Sequence, residues 1–265
     1  MSKQNGRQTI FVAGASGVVG SVIMDELFVQ KHRIHALSNA LPAFSRALSF
    51  LDETYGTPCV NKLLTWYTRV DLRSCNHMES FRNELRMRGA VPLDAAIFCF
   101  GPWPQHGLFE ELGESFASAP EAYWQTVEEH YILRMTHLFG SLCEVLREDG
   151  KIIFITSSFA NLSHEGCPPW LTARHYENLK KRVDGIIQSY QDGVRQLERN
   201  FCVHRIGIAG QKKFRETKLS DPDTQSGLKV LGHLKTHVNN ALNANKPSDI
   251  DIIFHQDGTI AQESK

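Results

Sequence analysis

Tyr176 and Lys180 stand four residues apart in the run Tyr176-Glu177-Asn178-Leu179-Lys180. On a helix this spacing puts a phenol and an ammonium on one face. A neighbouring cation favours the phenolate and lowers the tyrosine from its ordinary value of about 10. Such a phenol can protonate a carbonyl oxygen or take a proton from an alcohol. An amphipathic helix with a solvated lysine carries the same spacing, so the pair needs support from a second motif. Gly14-Ala15-Ser16-Gly17-Val18-Val19-Gly20 supplies it. This loop follows the β-prone run Thr9–Ala13 and precedes Ser21–Phe28, whose apolar residues recur at helical spacing. Strand, glycine loop and helix, in that order, suit a dinucleotide pyrophosphate: glycines permit close backbone approach, and the helix start offers free N–H groups.

Elements that could position both motifs alternate along the chain. Strands are expected at Arg33–Leu37, Leu64–Asp71, Leu93–Phe100, Gly150–Thr156, Cys202–Ile208 and, last, Asp251–Phe254. Long amphipathic helices are expected over Tyr123–Leu146 and Tyr176–Asn200. Apolar strands separated by helices imply an α/β fold: a doubly wound, Rossmann-like parallel sheet of about seven strands with helices on both faces. Without a repeat or a low-complexity linker, residues 1–265 are expected to form one domain, with a substrate loop near 211–246. Gln211–Ser226 is its most polar, turn-rich part, and Pro102–Pro120 is the other long irregular connection.

The 29 basic residues balance 29 acidic ones, so no basic field argues for nucleic acid. Six scattered cysteines without CxxC spacing read as reduced thiols. Met1–Gln8 lacks an apolar signal core, and no apolar run reaches membrane-spanning length. A cytoplasmic protein is expected.

With the elements in place, the chain resembles the short-chain dehydrogenase/reductase family over nearly its whole length. The glycine loop, Val70-Asp71-Leu72, Leu93-Asp94, Ile155-Thr156-Ser157-Ser158, the helix Tyr176–Ser189 and His204–Gly210 carry the resemblance. It implies that Tyr176 is the general acid/base. Lys180 would tune that phenol and hold the nicotinamide ribose, and Ser158 would bond the substrate oxygen. Cofactor contacts would come from Gly14, Ser16, Gly17, Val18, Val19, Gly20, Ser38, Asn39, Asp71, Leu72, Phe100, Gly101, Tyr176, Lys180 and Gly210.

The departures gather around the reacting centre. Phe98-Cys99-Phe100-Gly101 stands where the family has Asn-Asn-Ala-Gly, which suggests crowding near the nicotinamide or an apolar substrate. His130 or Tyr131 holds the place of the family's relay asparagine. Ser163 has the family's usual distance from Tyr176. Ser158 and Ser157 lie further out but end the strand directly, so Ser158 is preferred. Ala209-Gly210 replaces Pro-Gly. After the second strand come Ser38 and Asn39, with Arg46 not far on; no acid there would repel a 2′-phosphate, so NADP(H) is preferred over NAD(H).

Two function classes follow. The first is an NADP(H)-dependent reductase or dehydrogenase acting on a bulky, largely apolar carbonyl, alcohol or imine of secondary metabolism; a cofactor-binding cyclase or isomerase is its variant. The second is a non-catalytic NAD(P)-sensing regulator, against which the retained Tyr176 and Lys180 argue. Relatives pair through their two long helices, which implies a homodimer or homotetramer. His233-x3-His237 has zinc-like spacing but lacks a glutamate between them and a third ligand, so no metal is expected. Cys99 is expected to pack rather than react, and Trp103, Phe109, Phe116, Trp124 and Trp170 would line the pocket or the core.

Overall fold

Thr9–Ala13 forms β1, with every residue but the first buried. Around it the computed structural model describes residues 6–38, 41–99, 121–157, 173–196, 201–210, 225–254 and 259–264. The order continues with α1 (Val18–Val29), β2 (Arg33–Leu37), α2 (Leu41–Tyr55), α3 (Thr57–Leu63), β3 (Leu64–Tyr67), α4 (Cys75–Met87) and β4 (Leu93–Phe98). Then follow α5 (Glu121–Cys143), β5 (Leu146–Ser157), α6 (Ala173–Gln196), β6 (Cys202–Gly210), α7 (Gln225–Asn243), β7 (Asp249–Phe254) and β8 (Ile260–Ser264). The sheet runs β3-β2-β1-β4-β5-β6-β7-β8. Its first seven strands are parallel, and β8 pairs antiparallel with β7.

Alternate residues of the strands feed two cores. Ile10, Val12, Ile97, Ile153 and Ile206 meet α1 and α7 through Ile23, Leu27, Leu234 and Val238. Phe11, Ala96, Phe98, Ile152 and Val203 meet the other face through Phe81, Leu138, Leu179 and Val183. Burial on both faces is why these strands read as nearly unbroken apolar runs. Polar contacts lock α1 to α7: Lys235 Nζ lies 2.8 Å from Asp25, and Asn239 donates to Glu26 at 2.9 Å.

The α/β reading holds, with corrections at the edges. The last strand is not Asp251–Phe254: the short, polar β8 follows it and covers that edge. β3 stops at Tyr67, because Arg69 takes a left-handed backbone (φ 59°) that ends extended pairing. Between β2 and β3 lie α2 and α3, which the sequence pattern did not mark. Within the expected loop at 211–246, residues 225–243 are helical, while 211–224 lie outside the described residues, as do 101–120. No described helix is long and apolar enough to cross a membrane.

Among the described residues, two imidazoles are fully buried in the sheet. His35 shares a 2.9 Å hydrogen bond with the Tyr67 hydroxyl, and His204 one of 2.8 Å with Ser248. Burial, then nearby cations, pushes each down to about 4. Burial likewise pushes the Tyr67 phenol up to about 12. In the unfolded chain both imidazoles protonate near the ordinary ~6.5. Below that pH the unfolded state binds more protons, so stability falls with pH until the folded pKa is reached. Each histidine contributes about 1.4 kcal/mol of loss per pH unit across that window, and nothing above it. Denaturant melts from pH 7.5 to 4 should trace this loss, and His204→Gln should flatten its share. An unchanged slope in that variant would show that His204 titrates normally when folded.

Candidate active site

Because the seven strands are parallel, the described strand-end residues named from the sequence, among them Gly14, Ser38, Ser157 and Gly210, fall on one edge. Between β1 and β4 the strand order reverses, and the crevice outside such a switch point is where open α/β sheets take ligands. The glycine loop sits there. Gly14 (φ 77°) turns the chain out of β1, and the Gly14 and Ala15 amides donate to Leu37 O at 3.0 and 3.2 Å. Gly17 caps α1 without a side-chain hydrogen bond to its first amides. Val19 is half-buried against the core, and nothing is described of the Val18 side chain.

Gly20 is the tightest point. A Cβ built there would lie 2.1 Å from Gly14 O and 2.9 Å from Ala15 Cα. The first turn of α1 therefore rests directly on the loop backbone, closer than any side chain allows. A cradle of this shape, with helix amides at its rim, fits a pyrophosphate.

Beside it, the Ser16 and Ser38 hydroxyls hydrogen-bond each other across the ends of β1 and β2. Ser38 N donates to Tyr67 O at 3.1 Å, and the side chain is buried. Asn39 lies outside the described residues, and Arg46 is exposed on α2. Past β3, the Asp71 carboxylate accepts from Arg73 N and Nε, each at 3.0 Å. These contacts hold it down to about 2. Leu72 is a core residue, and its carbonyl accepts from His137 Nδ1 at 3.1 Å.

At the far side of the crevice, Ser157 ends β5 and Gly210 ends β6. Ser158, Ser163, Phe100 and Gly101 lie outside the described residues. Tyr176 and Lys180 are on α6, one turn apart on one continuous helix, near its start. Their own side chains are not described, but the helix beneath them is firmly held. Leu179, Val183 and Ile187 are buried against the sheet. Tyr190 stacks on Phe139 of α5 at 3.7 Å between ring centroids, with Phe154 of β5 beyond. Gln191 donates to Val203 O at 3.1 Å.

Phe98 corrects one expectation. It is buried and packs on Phe154 at 4.5 Å between centroids, so it builds core rather than a broad substrate wall. Only Phe100 remains to carry that idea. Of the two relay residues, His130 is half-buried and Tyr131 is buried, and burial raises the Tyr131 phenol far above its ordinary value. Tyr131 borders a cavity of about 10 Å³ together with Thr156, whose buried hydroxyl finds no partner among the described residues. Cys99 is raised by burial, in keeping with a packing role. His237 is buried on α7 and His233 half-buried. A larger hollow, about 490 Å³, opens at the opposite edge between His32, Asp94, Arg147 and Lys151. It lies at the strand starts, away from the switch point.

Sequence reasoning missed one cluster. Arg205 of β6 is almost fully buried and meets Asp184 of α6, Asp249 and Asp251 of β7. A charge inside an apolar strand run was the signal available for it.

No family model matches the sequence, and no curated protein matches it. Solved structures do. A carbonyl reductase from Pseudomonas aeruginosa PAO1 in complex with NADP superposes with a TM-score of 0.64 at 17% identity, covering 93% of this chain and 96% of that one. The fold is that of the short-chain dehydrogenases/reductases. A short-chain type dehydrogenase/reductase from Mycobacterium ulcerans gives 0.64 at 13% identity over 97% and 90% of the two chains. YwfH, an NADPH dependent reductase involved in bacilysin biosynthesis, gives 0.63 at 13% identity over 96% and 100%. At such identities the similarity establishes the architecture, and the chemistry has to be argued from this chain's residues.

Proposed function

We propose that the chain is an NADP(H)-dependent oxidoreductase acting on a bulky, largely apolar carbonyl, alcohol or imine. The observation that carries this reading is the Gly14–Gly20 cradle at the switch point, with the Tyr176–Lys180 helix packed beside the same edge. Two solved structures of this fold, the carbonyl reductase in complex with NADP and the NADPH dependent reductase YwfH, support the cofactor choice. Gly14, Gly17 and Gly20 would hold the pyrophosphate, with Val18 and Val19 at the helix start. Ser16, Ser38 and Asn39 would meet the ribose and its phosphate, and Asp71 and Leu72 the adenine. Phe100, Gly101, Gly210 and Lys180 would surround the nicotinamide, which when bound supplies or accepts the hydride.

The chain's own residues would handle the proton. Tyr176 Oη gives it to the substrate oxygen or nitrogen in reduction and takes it in oxidation. Lys180 favours the phenolate, and Ser158 donates a hydrogen bond that fixes the substrate oxygen. A cytoplasmic location and a homodimer or homotetramer belong to the same reading.

The test is a nicotinamide absorbance assay with NADPH and a panel of bulky ketones and imines, beside titrations of both cofactors. Loss of reduced-nicotinamide absorbance and tighter binding of NADPH than NADH are expected. Tighter NADH binding would overturn the cofactor preference. Binding without turnover across the panel would overturn the redox reading.

A further inference from the structure

We propose that Cys75 is a reactive thiol, with His137 as its base, that exchanges with small soluble disulfides to form a reversible mixed disulfide. The two side chains come from different elements. Cys75 is the first residue of α4, and His137 lies on α5, 62 residues later. Both helices pack on the same core, α4 through Met78, Phe81 and Leu85 and α5 through Met135, Leu138 and Leu142. The Arg82–Glu144 ion pair ties them together further along. Their packing brings Cys75 Sγ to 3.9 Å from His137 Nε2, within hydrogen-bond reach for sulfur.

The other ring nitrogen fixes the direction of that bond. His137 Nδ1 is 3.1 Å from the Leu72 carbonyl oxygen. A carbonyl only accepts, so Nδ1 carries a proton. In the neutral ring Nε2 is then the bare nitrogen, and it faces the thiol. The S–H donates and the imidazole accepts. Leu72 is buried, so the carbonyl that orients the ring is itself held. Nucleophile, base and a third group that orients the base form the arrangement that activates a nucleophile. The start of α4 adds a dipole that favours negative charge developing on sulfur.

Access sets Cys75 apart. Among the described cysteines it is the exposed one: Cys59, Cys99 and Cys143 are partly covered and Cys202 is buried. Cys167 lies outside the described residues. The exchange balances without a further reagent. Cys75 gives its proton to His137 Nε2 as Sγ attacks one sulfur of the disulfide. A new S–S bond forms on Cys75 and the old one breaks. The departing thiolate takes the proton from the imidazolium, so Cys75 is oxidised as that half is reduced to a thiol. Attack by a second thiol reverses the step.

The experiment incubates the full-length protein with oxidised glutathione, folded and unfolded in urea, and quenches it at intervals. Peptide mass mapping follows the adduct on Cys75. It should form at least about tenfold faster in the folded protein than in the unfolded chain, where no base stands beside the thiol. His137→Asn keeps a donor for the Leu72 carbonyl but offers no base. It should lose that gain while its melting temperature stays close to the original. A folded-state rate no higher than the unfolded one would overturn the proposal. So would a folded His137→Asn protein that keeps the fast rate. If that variant fails to fold, the ratio of folded to unfolded rates in the parent protein decides alone.

Discussion

Replacing Tyr176 by phenylalanine should lower kcat by about 10²–10⁴-fold, the usual worth of a positioned general acid. The substitution removes one hydroxyl and keeps the ring. It should leave the helix in place, because α6 is held by Leu179, Val183, Ile187 and the Phe139–Tyr190 stack rather than by residue 176 alone. NADPH affinity should therefore barely change, since the pyrophosphate cradle is at the other end of the crevice. Lys180→Met should behave differently: it removes both the tuning charge and a proposed ribose contact, so turnover and cofactor affinity should fall together. Steady-state kinetics with a fluorescence titration of NADPH separate the two. Near-normal turnover by the Tyr176→Phe variant would rule out this phenol as the proton donor.

That prediction rests on residues the sequence could reveal. The β1–loop–α1 unit was legible because an apolar run, three spaced glycines and a helical apolar pattern each have a local cause. The interior strands were legible because burial on both faces leaves them almost continuously apolar. Other elements lacked such a signal. Ile260–Ser264 contains one large apolar residue and is a strand only because β7 offers it an edge. α2 leaves Phe50 half-exposed, which blurs the two-faced pattern a helix shows in sequence. Val70 extended the apparent third strand, but the left-handed Arg69 before it cannot be read from residue type.

The site divides along the same line. Close approach at Gly20 is a backbone fact that glycine spacing announces. The Ser16–Ser38 contact and the Arg205 cluster join residues 22 and 21 positions apart or more, through strand order and register alone. Phe98 shows the converse: its type suggested a pocket wall, while the strand's alternation turned it into the core against Phe154.

Gly20→Ala should be the most damaging small substitution in the cradle. The added Cβ would meet Gly14 O at 2.1 Å, with Ala15 Cα and Gly14 C each at 2.9 Å. All three are backbone atoms, so no rotamer change can relieve the clash. Either α1 withdraws from the loop or the loop deforms, and overpacking of this kind costs about 1–3 kcal/mol of stability. Both routes also move the helix N-terminus relative to Gly14 and Gly17, so NADPH affinity should fall by at least about tenfold, a loss of about 1.4 kcal/mol. Gly17→Ala is the matched control. Its Cβ would come only to 3.4 Å from Gly14 O, at a φ of −73° that alanine adopts freely. Its stability should fall by about 1 kcal/mol at most, because alanine is a poorer cap than glycine but meets no backbone clash there. Thermal melts and cofactor titrations of the two variants test the difference. If Gly20→Ala melts and binds NADPH like Gly17→Ala, the close contact between α1 and the loop does not shape the cradle, and the pyrophosphate assignment loses its physical basis.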